Sequence, residues 1–306
     1  MALDLILDCD PGHDDAVALA VAAHRGRLLG VTTAAGNVGL DHTTRNALAI
    51  VQMLGIDVDV HSGAAAPLCG EPVDHATHVH GENGLAGATL PALRRRVASD
   101  DAAGFLVDIT REHPHVWIVA TGPLTNVAIA LQRDPTLAER VAGISIMGGG
   151  TFGNVTSVSE FNIKFDPEAA DIVLRCGARL VMCGLDLTHQ FLVDDDMVAR
   201  SRALGNDFGS FAADFLGGYL ANIRALRGDA LDAALHDPCA VLAVTDPHLL
   251  EVAKLPVVVE TVGTHTRGMT VVDQRGWARG GNVEWARTID APAAKQVVLD
   301  AFAEAP

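Results

Sequence analysis

The chain has 306 residues, of which 49% are apolar and only 4% aromatic, and its formal net charge at pH 7 is −16. An acidic surface of this kind repels phosphate backbones, and the scarcity of aromatic side chains leaves little surface for stacking on bases. We therefore exclude nucleic acid as a partner, while the apolar content is sufficient for a substantial buried core.

The cysteines and the N-terminal segment indicate the cellular compartment of the protein. Cys9, Cys69, Cys176, Cys183 and Cys239 are scattered and form no C-x-x-C pair, which is typical of small buried residues in a reducing environment. The N-terminal segment shows no secretory signal, and no apolar run reaches the roughly 20 residues that a bilayer crossing requires. We expect a cytoplasmic protein without membrane contact.

Short apolar strands alternate with helical segments through the first two-thirds of the chain. A strand from Leu3 to Cys9 precedes a helix from Asp14 to His24, which is so rich in Ala, Val and Leu that we expect it to be largely buried. A strand from Leu28 to Ala35 and a helix from Asp41 to Leu54 follow. Further strands are predicted at Val116 to Ala120, Ile144 to Met147 and Leu180 to Cys183. The alternation predicts an α/β fold with an open, mainly parallel sheet, a Rossmann-like core and helices on both faces.

The pattern changes in the last third of the chain. The segment from Asp194 to Leu235 is helical in character and is predicted to cap the pocket edge of the sheet. Strand-like segments return at Leu255 to Val262, Gly268 to Val272 and Asn282 to Ile289. No Pro/Ser-rich linker or repeat marks a boundary, so residues 1–306 are predicted to form a single domain. The aperiodic segment from Ser62 to Leu93 is predicted to be a long functional or mobile loop.

Four carboxylates, those of Asp8, Asp10, Asp14 and Asp15, lie within eight residues at the end of the first apolar strand. Capping of the next helix explains the last two, because the dipole at a helix N-terminus favours negative charge. It does not explain four, whereas a hard cation such as Ca²⁺ or Mg²⁺ requires such an oxygen-rich site. A D-x-D phosphotransferase with Asp8 as nucleophile is a weaker alternative, since Pro-Gly-His replaces the expected hydroxyl residue.

Polar or glycine residues also follow other predicted strands. They are Asp10, Asn37, Thr121 and the run Gly148-Gly149-Gly150. In open α/β sheets, ligands bind beyond the carboxyl ends of the strands. The sequence therefore predicts that four strand ends converge on one pocket.

These features belong to a longer series of motifs. The run Asp8-Cys9-Asp10-Pro11-Gly12-His13-Asp14-Asp15-Ala16 resembles the N-terminal signature of the inosine-uridine-preferring nucleoside hydrolases. The resemblance continues, in family order, through Gly36-Asn37, His80-Gly81-Glu82, Thr121-Gly122-Pro123-Leu124-Thr125-Asn126, Met147-Gly148-Gly149-Gly150, Glu160-Phe161-Asn162, Asp166-Pro167-Glu168-Ala169-Ala170, Gly184-Leu185-Asp186-Leu187-Thr188 and His236-Asp237-Pro238. It implies a nucleoside hydrolase-like fold and a Ca²⁺-dependent enzyme that splits the N-glycosidic bond of ribonucleosides.

By position, the resemblance assigns the Ca²⁺ ligands to Asp10, Asp15, Asp237 and the backbone carbonyl of Thr121. Asp10 would also activate the Ca²⁺-bound water, and His236 would protonate the departing base. The transition state would resemble an oxocarbenium ion, and the product would be inverted because no carboxylate serves as a covalent nucleophile. Without the resemblance, Asp237 before Pro238 would be read as a helix N-cap, and we expect the cap and the ligand role to coexist.

The resemblance also assigns residues to the substrate. The ribose hydroxyls would contact Asp14, Asn37, Met147, Asn154, Glu160 and Asn162. The base would lie near His80, Tyr219 and Arg224. The alternative that His75, His78 and His80 bind zinc lacks a further fixed ligand. Relatives in the family are usually homotetramers or dimers, so a homo-oligomer is expected.

Two other functions remain open from the sequence. One is a non-catalytic, Ca²⁺-dependent protein that binds a nucleoside or ribose, and the other is the D-x-D phosphatase. The presence of the base, the ligands and the candidate acid together favours the hydrolase. The sequence does not decide between purine and pyrimidine nucleosides.

Overall fold

The computed structural model describes residues 3–69, 75–85, 88–228, 232–277 and 279–306. The strands are β1 (Leu3–Cys9), β2 (Gly26–Thr33), β3 (Val60–Ser62), β4 (Trp117–Ala120), β5 (Gly143–Met147), β6 (Leu180–Cys183), β7 (Leu192–Val193), β8 (Ala233–Ala234), β9 (Leu250–Leu255), β10 (Val257–Val259), β11 (Thr270–Val272) and β12 (Val283–Ile289). The α-helices are α1 (His13–Arg25), α2 (Leu40–Met53), α3 (Thr77–His80), α4 (Ala102–Glu112), α5 (Thr125–Arg133), α6 (Leu137–Arg140), α7 (Phe161–Phe165), α8 (Pro167–Leu174), α9 (Leu185–Thr188), α10 (Asp195–Ala203), α11 (Asp207–Arg227), α12 (Pro238–Thr245) and α13 (Ala291–Glu304).

One eight-stranded sheet organises the molecule, in the order β3-β2-β1-β4-β5-β6-β12-β9. Every pairing in it is parallel except that of β9 with β12. Helices α1, α2, α12 and α13 pack on one face of the sheet, and α4, α5 and α8 pack on the other. The predicted α/β class, with a mainly parallel sheet covered on both faces, is confirmed.

The order of the strands places a crevice beside β1. From β1 the chain first builds outward through β2 and β3, then returns to the other side of β1 and builds through β4, β5 and β6. The crossovers on the two sides therefore diverge between β1 and β4, and a ligand site forms at the carboxyl ends of the strands at such a point. Asp10 and Thr121 follow directly after these two strands.

Helix α1 is buried over residues 13–22, in agreement with its apolar sequence. It packs against β1 and β2 of the sheet and against the helices α2, α11, α12 and α13, so nearly its whole circumference contacts protein. Its first turn contains Asp14 and Asp15, which brings two charged side chains into the interior together with the helix.

Some predicted boundaries differ from the structure. Within the strand predicted at Leu255 to Val262, the structure has β10 alone at Val257–Val259, and Leu255 is the last residue of β9, a strand that the sequence did not predict. Pro256 separates the two strands because it has no N–H for a continuing ladder. The helical segment from Asp194 to Leu235 contains α10 and α11 but ends in strand β8, which pairs with β7. The predicted loop from Ser62 to Leu93 contains the short helix α3, and its residues 70–74 and 86–87 lie outside the described residues.

Among the described residues, no helix combines the length and the apolar composition needed to cross a bilayer.

Leu19 tests how much the burial of α1 contributes to stability. Its side chain is completely buried, so Leu19→Ala is expected to lower the free energy of unfolding by about 2–5 kcal/mol. The matched control, Leu226→Ala, alters a leucine that is 54% exposed and should cost less than about 0.5 kcal/mol. Chemical denaturation measures both, and equal small losses would contradict the packing described for α1.

Candidate active site

A cavity of about 310 Å³ opens at the carboxyl edge of the sheet. It has the size of a small-molecule site rather than that of a surface groove for a macromolecule. Most of the predicted site residues line it, namely Asp10, Asp14, Asn37, His80, Thr121, Met147, Asn154, Glu160, Asn162, Tyr219, His236 and Asp237. Asp15 lies beneath the lining, hydrogen bonded to Thr121.

Four buried carboxylates form the acidic floor of the cavity, three in the lining and that of Asp15 beneath it. Asp10, Asp14, Asp15 and Asp237 are each at most 4% exposed. One oxygen each from Asp14, Asp15 and Asp237 lie within 4.8 Å of one another. Three segments distant in sequence, the end of β1, the first turn of α1 and the start of α12, bring these acids together.

Hydrogen bonds fix two of these acids in place. The Asp15 carboxylate accepts from the Gly12 N–H (2.8 Å), from the Thr121 hydroxyl (2.8 Å) and from the Asn37 amide (3.3 Å). One oxygen of Asp10 accepts from the Asn37 N–H at 2.7 Å. Asp10 and Asp15 therefore have defined orientations, and the three partners tie the ends of β1, β2 and β4 together.

Two other oxygens of the floor accept no hydrogen bond from the part of the chain that the structure describes. Oδ1 of Asp10 and Oδ1 of Asp14 are buried without a hydrogen-bond partner among the described residues. Burial raises the pKa of the Asp10, Asp15 and Asp237 carboxyls, and it raises the pKa of Asp14 to about 7. Repulsion from Asp15 adds to the pKa shifts of Asp10 and Asp14.

The floor fits a divalent cation. All the donors are oxygens, which suits a hard ion, and positive charge would offset the repulsion among the acids. The backbone approaches the Asp10 carboxylate closely from two sides, since a Cβ atom added at Gly36 or at Gly122 would collide with it. The glycines thus leave room for the carboxylate to face the cavity.

Asp237 corrects one expectation from the sequence. It occupies the N-cap position of α12, but its side chain caps none of the helix N–H groups in the described structure. The carboxylate instead faces Asp14 and Asp15. We predicted that Asp237 would both cap α12 and stand at a ligand position. The prediction of the cap was wrong, because a side chain directed at the acidic floor cannot also reach the N–H groups of α12.

Asp8 has a different environment from the other acids of its run. Its carboxylate accepts from the Thr32 hydroxyl at 2.6 Å and from the Asn126 amide at 2.8 Å, and it is 1% exposed. Asn126 also donates to the carbonyl of Thr33 and accepts from the N–H of Ala64. Asp8 therefore joins neighbouring strand ends beneath the cavity, and this position removes it as the nucleophile of a phosphatase.

The wall formed by α7 is held by Glu160 and Asn162. The Glu160 carboxylate accepts from the N–H groups of Asn162, Ile163 and Gly149, at 2.9 to 3.1 Å. The Asn162 amide donates to the backbone carbonyls of Thr121 (2.7 Å) and Met147 (3.1 Å). These bonds place amide and carboxylate oxygens along the ends of β4 and β5, as recognition of sugar hydroxyls requires.

A second wall of the cavity is aromatic, and the sequence analysis did not identify all of its residues. His13 stacks on His80 with ring centroids 4.2 Å apart and contacts Tyr219 at 3.7 Å. Burial lowers the pKa of His13 well below its usual range. His13 stands inside the N-terminal acidic motif, so the motif contained the signal, but only the fold brings α3 and α11 against it.

His189 is a second cavity residue that the sequence did not reveal, although it directly follows the Gly184-Leu185-Asp186-Leu187-Thr188 motif. Its ring lies 5.3 Å from that of Phe152 and 5.8 Å from that of His236. His236 in turn is hydrogen bonded through Nδ1 to the Thr188 hydroxyl at 2.8 Å. The short helix α9 thus contributes to the wall near the candidate acid.

Arg224 does not line the cavity. Its guanidinium pairs with Asp195 (2.9 Å) and with Asp232 (3.3 Å), and Asp232 is the member of this group that reaches the lining.

Two of the three histidines considered for a zinc site, His75 and His80, have described side chains, and these two have different partners. Nδ1 of His75 is bonded to the Gly36 carbonyl at 2.7 Å, and the side chain of His78 lies outside the described part of the chain. His80 instead groups with His13 and Asp14, with one donor atom of each within 4.8 Å of the others.

The chain is similar in sequence and structure to known proteins over nearly its whole length. Residues 5–296 match the family model described as inosine-uridine preferring nucleoside hydrolase. The chain is 43% identical over 281 residues to a protein of Shewanella woodyi named pyrimidine-specific ribonucleoside hydrolase RihA, with 90% of each chain covered. It is also 43% identical over 278 residues to the protein of that name from an Enterobacter species, covering 89% of this chain and 88% of the relative.

Two solved structures have the same fold. A purine-preferring ribonucleoside hydrolase from Gardnerella vaginalis superposes with a TM-score of 0.92 at 32% identity, covering 98% of each chain. A plant nucleoside hydrolase superposes with a TM-score of 0.89, also at 32% identity, and covers 100% of both chains.

Asn126 tests the bonds beneath the cavity. Asn126→Leu removes the partners of Asp8, Thr33 and Ala64 at once, so it is expected to lower the free energy of unfolding by about 2–4 kcal/mol. Asn222→Leu is the matched control, because the Asn222 amide donates to the Val79 carbonyl at the rim and its loss should cost about 1 kcal/mol. Denaturant titration compares the two variants. A smaller loss for Asn126→Leu than for the control would contradict this role.

Proposed function

The chain belongs to the inosine-uridine preferring nucleoside hydrolase family and is a ribonucleoside hydrolase, and we propose that it binds Ca²⁺ and acts on pyrimidine ribonucleosides. The products are ribose and the free base. The observation that carries the proposal is the floor of four buried carboxylates, two of which, Asp10 and Asp14, line the cavity and have a buried oxygen without a hydrogen-bond partner among the described residues.

The proposed Ca²⁺ ligands are Asp10, Asp15, Asp237 and the backbone carbonyl of Thr121. Ca²⁺ accepts about six to eight oxygen ligands, so this set leaves positions for water and for sugar hydroxyls. Bound there, Ca²⁺ would supply a Lewis acid that orients the ribose and makes a water molecule easier to deprotonate. The buried, all-oxygen floor supports Ca²⁺ over a softer metal.

The proposed ribose contacts are Asp14, Asn37, Met147, Asn154, Glu160 and Asn162. Each sugar hydroxyl both donates and accepts a hydrogen bond, so a wall of amides, carbonyls and carboxylates matches it. Asp14 is supported by its buried oxygen, for which the described residues offer no donor. Asn162 is supported by its bonds to two strand ends, which fix its amide.

Asp10 and His236 are the proposed catalytic residues. The C1′–N bond breaks with its electron pair going to the base, and His236 supplies a proton to that leaving group. Water attacks C1′ from the opposite face and gives its proton to Asp10, so the anomeric configuration is inverted. Positive charge develops on the sugar in between, and the carboxylates of the floor stabilise it electrostatically.

The preference for pyrimidines rests on the names of the Shewanella and Enterobacter relatives. The base would lie near His80 and Tyr219, with Arg224 acting through its partner Asp232. The stacked pair of His13 and His80 offers ring faces and edges to a planar base.

Further parts of the proposal concern the whole molecule. We propose a single domain in which residues 194–235 act as a cap over the pocket, and α11 supports this by contributing Tyr219 and Ile223 to the lining. The five cysteines are all unpaired, which is consistent with the proposed cytoplasmic location. The proposed assembly is a homotetramer or a dimer, as the family resemblance implies.

Calcium binding is tested by thermal unfolding. Ca²⁺ at about a hundredfold excess over its Kd should raise the Tm of chelator-treated protein by about 5 °C, since a ligand that binds only the folded state stabilises it. Asp237→Asn removes a proposed ligand and should abolish most of the shift. The control Asp196→Asn alters a carboxylate that is 74% exposed, and it should keep the shift. An undiminished shift in Asp237→Asn would contradict the assignment.

Catalysis is tested by reducing-sugar release from uridine, cytidine, inosine and guanosine, with and without chelator. Wild type should release ribose faster from the pyrimidine nucleosides, and chelation should suppress the reaction. Asp10→Asn should lower kcat by about a hundredfold or more while nucleoside binding survives in part, because a general base contributes about 10²–10⁴-fold. Asp196→Asn should retain wild-type rates. Nucleoside binding without ribose release would support a binding protein, and near-normal turnover by Asp10→Asn would refute its role.

A further inference from the structure

We infer that Thr188 is a positioning residue for His236, whose hydroxyl holds the imidazole in the orientation that delivers a proton to the leaving base. The inference rests on the proposed role of His236 as the acid. It adds a residue of α9 that makes no direct contact with the reacting atoms. Thr188 acts only through the hydrogen bond between its Oγ1 and Nδ1 of His236, which is 2.8 Å long.

The position of the Thr188 hydroxyl is rigid. Thr188 is completely buried, and its N–H donates to the Gly184 carbonyl at 3.0 Å, which fixes it at the end of α9. A buried β-branched side chain has few rotamers, so its hydroxyl occupies a defined place. A flexible or exposed partner would not restrain an imidazole in this way.

The segment that carries His236 is tied to the same part of the chain. The N–H of Leu235, the residue before His236, donates to the Phe191 carbonyl at 2.8 Å. Just before it, β8 pairs with β7, which joins Val193 to Ala233 and Leu192 to Ala234. The backbone hydrogen bonds fix the position of His236 in the cavity wall, and the hydrogen bond to the Thr188 hydroxyl fixes the rotation of its ring.

A hydroxyl suits a residue that must lose and regain a proton. The hydroxyl oxygen accepts a hydrogen bond from Nδ1–H of the protonated imidazole, and Nδ1 keeps this proton after Nε2 has given up its own, so the contact survives the proton transfer. With Nδ1 committed to Thr188, delivery to the base is assigned to Nε2. Valine has the shape of threonine without the hydroxyl, so Thr188→Val removes the restraint and leaves the packing nearly unchanged.

The test compares substrates that differ in their need for a proton. One is the nucleoside that wild type hydrolyses fastest, and the other is 4-nitrophenyl β-D-ribofuranoside, whose phenolate leaves without protonation. Thr188→Val should lower kcat for the nucleoside about tenfold with little change in KM, because about 1.4 kcal/mol of orientation is lost. The rate with the aryl riboside should change less than about twofold. Thr188→Ser restores the hydroxyl and should recover most of the nucleoside rate.

Two controls separate positioning from general damage. Thr110→Val removes another completely buried threonine hydroxyl, which bonds to carbonyls within α4, and it should leave the ratio of the two rates unchanged. His236→Ala should, like Thr188→Val, lower kcat for the nucleoside more than kcat for the aryl riboside, and its loss of nucleoside kcat should be larger.

Other outcomes would overturn the inference. Equal losses on both substrates in Thr188→Val would indicate a structural role, and so would a failure of Thr188→Ser to recover the nucleoside rate. Full nucleoside activity in Thr188→Val, alongside a selective loss in His236→Ala, would overturn the role of Thr188 and leave the proposed acid intact. Full activity of His236→Ala on both substrates would refute the proposed acid itself.

Discussion

The burial of several negative charges at one point is the constraint on which the rest of this structure depends. Removing a carboxylate from water is costly unless hydrogen bonds or positive charge replace the lost hydration. The protein supplies part of that replacement to Asp15 through Gly12, Asn37 and Thr121. The oxygens that lack a donor among the described residues favour a cation at this site, and a cation bound there would in turn offer coordination positions to a sugar.

The topology of the sheet brings the acids and amides of the site together without long loops. Each acid or amide of the floor stands at the end of a strand or in the first turn of a helix, where a short displacement brings it to the crevice beside β1. The layer beneath is polar as well, since Asp8 and Asn126 bond neighbouring strand ends across the sheet. The core and the site therefore share one hydrogen-bond network, and the acidic floor is supported from below by the fold itself.

The sequence predicted the parts of the fold that depend on local pattern. Strand β1 and helix α1 were predicted almost to the residue, because apolar periodicity and the Pro11-Gly12 turn are local signals. Motif resemblance gave the residues around the cavity. The sequence did not predict features that depend on contacts between distant segments. His13 contacts Tyr219 only because α1 and α11 pack together. Asp237 occupies the N-cap position of α12 without capping it, because its carboxylate faces Asp14 and Asp15 instead. The hydrophobic periodicity of one segment does not indicate which distant segment it will contact.

One bond in the aromatic wall links two properties that are usually treated as separate. The Tyr219 hydroxyl donates to the Ala234 carbonyl at 2.7 Å, and Ala234 lies two residues before His236. The side chain proposed to lie next to the base is thus also an anchor for the peptide that carries the imidazole of His236. If selection for a different nucleobase replaced this tyrosine, the position of the proposed acid would change as well, so efficient respecialisation would require compensating changes in both walls.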